Sequence, residues 1–496
     1  MKVAATTRLL VAALFAAWSP LALAVDPLLH ALPESAFTPE PPQRATDAAQ
    51  STDVTGVEVR DVKNLGPKPI APDAPGDLWQ RIRAGFAIPD LHSRIVVEQE
   101  TWYAQRPDQL RLYVDRSRRY LFYIVEELER RGMPTELALL PMVESAYNPM
   151  AYSRAHASGL WQFIPSTGMN YNLGQNWWYD ARRDVVASTA AALDYLQSLR
   201  EMFGDWHLAL AAYNMGENGL QRAIDKNRAR RRATDYQSLQ MPKETRRYVP
   251  TFQALKNIVA NPAAFGVELE PVPNAPYFVT VTLTRDIDLR VAARLAAMPI
   301  DELVALNPGH NRPVVATAHA PQLVLPADRA EVFIQNLDQN DAPLSSWQTY
   351  TFKAGDKLDK LAAAHGVSIE RLRMINGLGP KGTVIAGQQL LLPAKGSAAA
   401  SEPLPPLFAS PARVAAYVVK LGDTWAGIAK AFGVRIDELR RWNRGAELAA
   451  GESLVIQIPP KKATRKAVKQ SGRPSAKAPP TRPSAPSTAA RSSPGS

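Results

Sequence analysis

Two stretches of the C-terminal half repeat one order of features 67 positions apart: Gly355-Asp356 returns as Gly422-Asp423, Gly366-Val367 as Gly433-Val434, and Asn376 as Asn443. Each reads as an extended strand, Gly-Asp, an amphipathic helix, Gly-Val, a second helix, Asn, Gly, and a closing strand that ends in proline (Leu392-Pro393, then Ile458-Pro459). Repetition of this kind marks an array of small units. A βααβ unit of roughly 45 residues is near the lower limit of what folds alone. The chain contains no cysteine, so an apolar core must hold each unit without disulfides. Leu358, Leu361 and Leu372 are placed for one core, Ile428 and Leu439 for the next. Asp356 and Asp423 stand where a helix N-cap is expected. The stretch 278–326 reads as a worn third copy, keeping Ile300-Asp301-Glu302-Leu303 and Asn307 but carrying Arg285-Asp286 in place of Gly-Asp. Proline-bearing gaps at Pro343, Pro403 to Pro406 and Pro411 separate the copies.

Ahead of the array the pattern is helical, from about 77 to 265. Leu121, Ile124, Val125 and Leu128 recur at i, i+3, i+4 and i+7, and Gly132 follows as a stop signal. Pro134 opens a further helix that carries Leu137, Leu140 and Val143 towards Glu144. A longer helix starts near Asp184, with Val186, Leu193, Leu196 and Phe203 on one side and Gly204 beyond; another runs from Trp206 to Tyr213. At 496 residues the chain needs several cores. Lys2, Arg8, a short apolar run and Ala22-Leu23-Ala24 read as an export signal, shorter than a membrane-spanning helix needs. The segment 25–75 reads as a linker.

The net charge of +11 does not describe a folded face. The tail 461–496 holds nine basic residues and no acidic one, leaving 49 basic against 47 acidic elsewhere. A nucleic-acid binder would carry its positive charge on a folded surface. This tail is instead of a composition that cannot bury a core. Cysteine nucleophiles and thiolate metal sites are excluded, and seven histidines without an H-E-x-x-H pattern do not suggest a metalloenzyme. No metal and no cofactor is expected.

Glu144 ends an apolar run, Leu137-Ala138-Leu139-Leu140-Pro141-Met142-Val143, and Gly159-Leu160-Trp161-Gln162-Phe163 follows shortly after. A carboxyl in such surroundings resists ionisation and can hold a proton near neutrality, which suits it to protonating a glycosidic oxygen. Glycosidases usually set two carboxylates around the bond. Asp180, Asp184, Asp194, Asp205, Glu217 and Glu244 lie in the same block, none in an equally apolar run. Asp184 reads as an N-cap, and Asp194 and Asp205 as surface or cap residues. One catalytic carboxylate is therefore favoured, with a partner across the fold left open. Of the aromatics between Tyr147 and Tyr179, most are expected in the core, Trp161 and Phe163 among them.

Four motifs in order carry a resemblance: Glu144-Ser145, Gly159-Leu160-Trp161-Gln162, Ala212-Tyr213-Asn214-Met215-Gly216 and Glu244-Thr245-Arg246-Arg247-Tyr248-Val249. They resemble the soluble lytic transglycosylase domain, which is similar in fold to goose-type lysozyme. The repeats resemble LysM modules, and the stretch from Tyr179 to Ser188 resembles the D-type subgroup. The fold class implied is multidomain: an all-α lysozyme-like catalytic domain followed by small α+β (βααβ) LysM modules. The domains are then a signal peptide 1–24, a linker 25–75, the catalytic domain 76–270, a degenerate module 274–330, LysM modules 346–395 and 412–460, and the basic tail 461–496.

The resemblance implies a lyase that cleaves peptidoglycan glycan strands with one acid–base group, Glu144, leaving 1,6-anhydro ends. It implies substrate-binding roles for Ser153, Gln162, Tyr213, Asn214 and Tyr248. Each has an alternative in structure: Asn214 can bond backbone at a helix end and Tyr213 can be buried with its hydroxyl satisfied. Ser145 is as well suited to closing a turn as to touching substrate. The partner implied is the glycan strand, held by the LysM modules, with location in the periplasm or cell envelope. The lipid-anchoring cysteine that the family name implies is absent from this sequence, so membrane attachment is not expected. A lysozyme-like hydrolase and a non-catalytic wall-binding scaffold are the competing readings.

Overall fold

The computed structural model describes residues 57–58, 76–153, 155–378, 383–397, 414–443 and 448–457. The expected signal peptide and basic tail lie outside them, as does all of the linker but Val57 and Glu58. Ten α-helices among the described residues build the first block: α1 (Leu78–Ala84), α2 (Arg94–Ala104), α3 (Pro107–Ser117), α4 (Leu121–Arg130), α5 (Leu140–Ser145), α6 (Pro165–Asn170), α7 (Val185–Phe203), α8 (Trp206–Met215), α9 (Glu217–Ala229) and α10 (Thr245–Ala260). Their ends follow side-chain chemistry. Asp184 accepts from Ala187 N at 2.9 Å and starts α7, and Gly204 in the left-handed region (φ 68°) ends it. Asp205 caps α8 through Leu208 N at 2.9 Å. On α4, Leu121, Ile124, Val125 and Leu128 are all buried, as their spacing requires.

One local expectation is corrected. The residues after Pro134 do not form a single α-helix: a 3-10 turn, Thr135–Leu139, leads into the short α5. Pro141 near the start of α5 has no N–H for a ladder bond, which favours a fresh start there. The tight turn buries Glu136 completely, where its carboxylate accepts from Ala87 N and Ile88 N (3.0 and 2.7 Å) with Lys256 at 3.5 Å. That acid is committed to joining α1, this turn and α10.

The array follows. In the worn copy, β2 (Phe278–Leu283) pairs antiparallel with β5 (Gln322–Pro326), Phe278 opposite Pro326, and β1 (Val57–Glu58) adds to the other edge of β2. Between β2 and β5 lie β3 (Ile287–Asp288), α11 (Leu289–Leu295), α12 (Ile300–Leu306) and β4 (Val314–Val315), and α13 (Ala330–Asp338) comes after them. The second copy is β6 (Trp347–Thr351), α14 (Leu358–Ala364), α15 (Ile369–Ile375) and β7 (Gln389–Pro393); the third is β8 (Val414–Val418), α16 (Trp425–Phe432), α17 (Ile436–Trp442) and β9 (Ser453–Gln457). Both are antiparallel pairs closed around two helices.

The repeated asparagine explains the repeat. Asn376 Nδ2 donates to Leu372 O (3.0 Å) and Leu391 O (2.9 Å), and its Oδ1 accepts from Leu391 N (2.6 Å). Asn443 makes the same three bonds, to Leu439 O, Val455 O and Val455 N. Asn307 makes them again in the worn copy, to Leu303 O, Val324 O and Val324 N. In every copy it fastens the second helix to the closing strand. The repeated aspartates are not helix N-caps. Lys357 and Thr424 occupy those positions. Asp356 instead accepts from Lys353 N and Tyr350 Oη, both at 2.7 Å, and Asp423 from Lys420 N (2.8 Å) and Tyr417 Oη (2.6 Å), so each closes the strand-to-helix turn one residue earlier. Leu358, Leu372, Ile428 and Leu439 are core; Leu361 is only partly buried.

Candidate active site

Glu144 sits in the last turn of α5 and lines a cleft of about 340 Å³. The helix ends abruptly because Ala146 and Tyr147 both take left-handed backbone conformations (φ 52° and 55°). Three contacts hold that strained end. Tyr147 Oη donates to Ala138 O (2.5 Å), Ser145 Oγ donates to Leu160 O (2.9 Å), and Arg116 reaches Ala146 O (3.3 Å). Ser145 therefore ties α5 to the facing loop.

The cleft walls come from several places. The loop after α5 supplies Ser153, Ala155, Ala157, Trp161, Gln162 and Phe163; α6 supplies Thr167; α7 supplies Tyr195; the end of α8 supplies Tyr213, Asn214 and Met215; the start of α9 supplies Glu217; and the residue before α10 is Glu244. Ser153, Gln162, Tyr213 and Asn214, distant in sequence, thus face one cavity with Glu144. Each is also bonded within the fold. Ser153 Oγ accepts from Ala157 N (3.0 Å), and Gln162 Nε2 donates to Gly159 O (2.8 Å) while its backbone is left-handed (φ 50°). Tyr213 Oη donates to Trp161 O (2.9 Å), and Asn214 Oδ1 accepts from Thr245 Oγ1 (2.7 Å). Tyr248 lies elsewhere. Buried on α10, it does not line the cavity; its hydroxyl donates to Glu144 Oε1.

Burial pushes the Glu144 carboxyl up to about 7 from an ordinary 4.5. The Tyr248 hydrogen bond favours the carboxylate and opposes this, and the negative charge of Glu244 reinforces it. Burial also raises Glu244, against a bond from Asn214. Two acids that no apolar run announced, Glu217 and Glu244, thus share the cleft with Glu144. Glu217 accepts from Tyr195 Oη at 2.7 Å. Their sequence signal was position alone: Glu217 directly follows the motif that ends at Gly216, and Glu244 opens the last motif. Asp180 is spoken for. Its burial is outweighed by Arg182 and Arg183, which hold its carboxyl below the usual range. Trp161 and Phe163 are buried, as expected, though both still form part of the cavity lining.

Three family models match the chain. Residues 122–236 match the transglycosylase SLT domain, 277–342 the lytic transglycosylase MltD LysM-like domain, and 350–393 and 417–457 the LysM domain. Membrane-bound lytic murein transglycosylase D of Escherichia coli is 36% identical over 403 residues, covering 78% of this chain and 87% of the relative. Membrane-bound lytic murein transglycosylase C of Glaesserella parasuis is 29% identical over 127 residues, 23% of this chain and 35% of its own length. The first likeness runs through helical block and array alike, so this chain belongs to the family of membrane-bound lytic murein transglycosylase D.

Proposed function

We propose that the chain is a peptidoglycan lytic transglycosylase that cleaves the β-1,4 bond between N-acetylmuramic acid and N-acetylglucosamine without consuming water. The observation that carries this reading is Glu144: a carboxyl pushed up to about 7, bonded to Tyr248, in the lining of a cleft of about 340 Å³. Protonated near neutrality, Glu144 delivers its proton to the glycosidic oxygen as the C1–O bond breaks. The substrate's own acetamido group supports the positive charge at C1. The resulting carboxylate, favoured by Tyr248, takes the proton of the sugar's 6-hydroxyl, whose oxygen closes on C1. Glu144 ends protonated, and the product carries a 1,6-anhydro ring. Ser153, Gln162, Tyr213 and Asn214 are assigned to substrate binding because they share the cavity with Glu144. Tyr248 is assigned to holding the carboxyl.

The domain limits proposed are 76–270 for the catalytic domain, 274–330 for the degenerate module, and 346–395 and 412–460 for the LysM modules. The two LysM modules hold the enzyme on glycan, since a second contact on one polymer is intramolecular. Export to the periplasm through the signal peptide 1–24 completes the proposal.

The presence of Glu217 and Glu244 in the cleft favours one rival, a lysozyme-like hydrolase in which either activates water. Mass spectrometry of products from purified peptidoglycan separates the two. Anhydromuramyl ends that disappear in Glu144→Gln are expected. Reducing ends would replace the lyase by the hydrolase, and binding without any product would leave a scaffold.

A further inference from the structure

The worn copy is bound to the helical block by a specific dock. The loop after α12 meets the segment between α6 and α7 as a two-stranded bridge, Asp180 N donating to Gly309 O (2.9 Å) and Asn311 N to Trp178 O (2.7 Å). The Asn311 side chain spans the joint: Nδ2 donates to Asn176 O (3.0 Å) and Oδ1 accepts from Arg183. Tyr179 packs on His310, Trp178 stacks on His319, and the Arg312 guanidinium lies over Trp177 at 4.5 Å. Gly309 is required by space, because a Cβ there would meet the Tyr179 ring at 2.6 Å. His310 and Arg312 are buried in this joint.

The docked segment in turn holds a wall of the cleft. Arg182, only 2% exposed, pairs with Asp180 and sends Nη1 to His156 O (2.6 Å) and Phe163 O (3.1 Å). Gly159 lies so close beneath that a Cβ would meet Arg182 O at 1.8 Å. The loop clasped in this way carries Ser153, Ala157, Trp161, Gln162 and Phe163, the side of the cavity that faces Glu144. Gln162 is left-handed at φ 50° and so depends on its surroundings to stay in place.

We infer that the worn copy is a brace for the catalytic cleft: Gly309 and Asn311 are positioning residues that, through the 176–183 segment and Arg182, hold the wall bearing Ser153 and Gln162. This work of the module is done inside the molecule, at its contact with the helical block. A wall displaced by about an ångström costs up to roughly a hundredfold in rate without touching the reacting groups. The consequence for activity rests on the lyase reading above, whereas the mechanical claim does not.

The test compares the full chain with Asn311→Ala, which removes two side-chain bonds and leaves the backbone bridge, and with the harsher Gly309→Ala. Hydrogen exchange is followed at the amides of Ala157, Ser158 and Gly159, bonded to Ser153 Oγ, Phe163 O and Ala151 O. Exchange at these three is expected to rise tenfold or more in Asn311→Ala, with α10 unchanged. Acceleration confined to 176–183 and 307–315 would overturn the brace, whether or not the protein turns over substrate. In the activity arm, a loosened wall admits water to Glu144. The alkaline limb of the pH–rate profile should then move to lower pH as kcat/KM falls about tenfold. A lower Tm with an unmoved limb would make the dock a stability element only. If the unaltered protein releases no product, the lyase reading fails, and the exchange result still decides the brace.

Discussion

At the scale of the residue, Glu144 is stabilised for chemistry at the expense of the fold. Its pKa rises from an ordinary 4.5 to about 7 on folding. The folded state therefore keeps a proton that the unfolded chain releases, and stability falls as pH climbs through that interval. Above pH 7 the full penalty applies, no more than about 3 kcal/mol by linkage. Glu144→Gln should abolish product formation yet raise stability by about 1–3 kcal/mol at pH 8. The gain should vanish at pH 4, as urea melts at the two pH values would read. Tyr248→Phe acts in the opposite sense to a loosened wall. It deletes a bond that favours the carboxylate, so the alkaline limb of kcat/KM should move to higher pH while the rate falls, measured over pH 5–9 on peptidoglycan fragments. Glu144 was legible because its apolar run is local. Glu217 and Glu244 were named among the acids of the block but given no role, because what makes them matter is the cavity they share with Glu144.

At the scale of the element, short helices and two-residue strands depend on side chains that join them. The asparagine at the end of the second helix is the plainest instance, serving one carbonyl of its own helix and both backbone groups of one residue of the closing strand. Asn376→Ala would leave Leu391 N–H and C=O buried without that partner, costing about 2 kcal/mol. Faster exchange of Leu391 N–H and an earlier denaturant midpoint for the second copy should report it, with the third copy unaffected. Spacing exposed this residue, since it recurs at the same place in each copy. Its role was not readable, because the strand it grips lies 12 to 17 residues further on. The Gly-Asp pair misled for a related reason. An aspartate before a helix suits an N-cap, but here the tyrosine of the preceding strand and the backbone N–H at the turn compete for it and win.

At the scale of the molecule, the three copies have different standing. Each has its own apolar cluster, but Phe278, Leu306 and Val324 of the worn copy also join the core of the helical block, while, among the described residues, Ile375 and Leu391 of the second copy meet it only through Trp177 and Val314. Cutting the chain after 273 should therefore yield an aggregating or unfolding-prone protein, by light scattering and thermal melts. Cutting after 345 should leave the helical block folded and weaken retention on insoluble peptidoglycan by about ten- to a hundredfold, since linked sites are lost. The sequence by itself determined what neighbouring residues impose: the helical block, the caps at Asp184 and Asp205, the βααβ repeat and the apolar seat of Glu144. Those follow from spacing and local chemistry, which a linear chain carries openly. Only the tertiary structure decided which acids meet in the cleft, that Tyr248 reaches Glu144 from outside the cavity lining, and that the worn copy packs into the catalytic block. Each of these is a contact across more than seventy residues, and no local pattern encodes where two distant surfaces will meet.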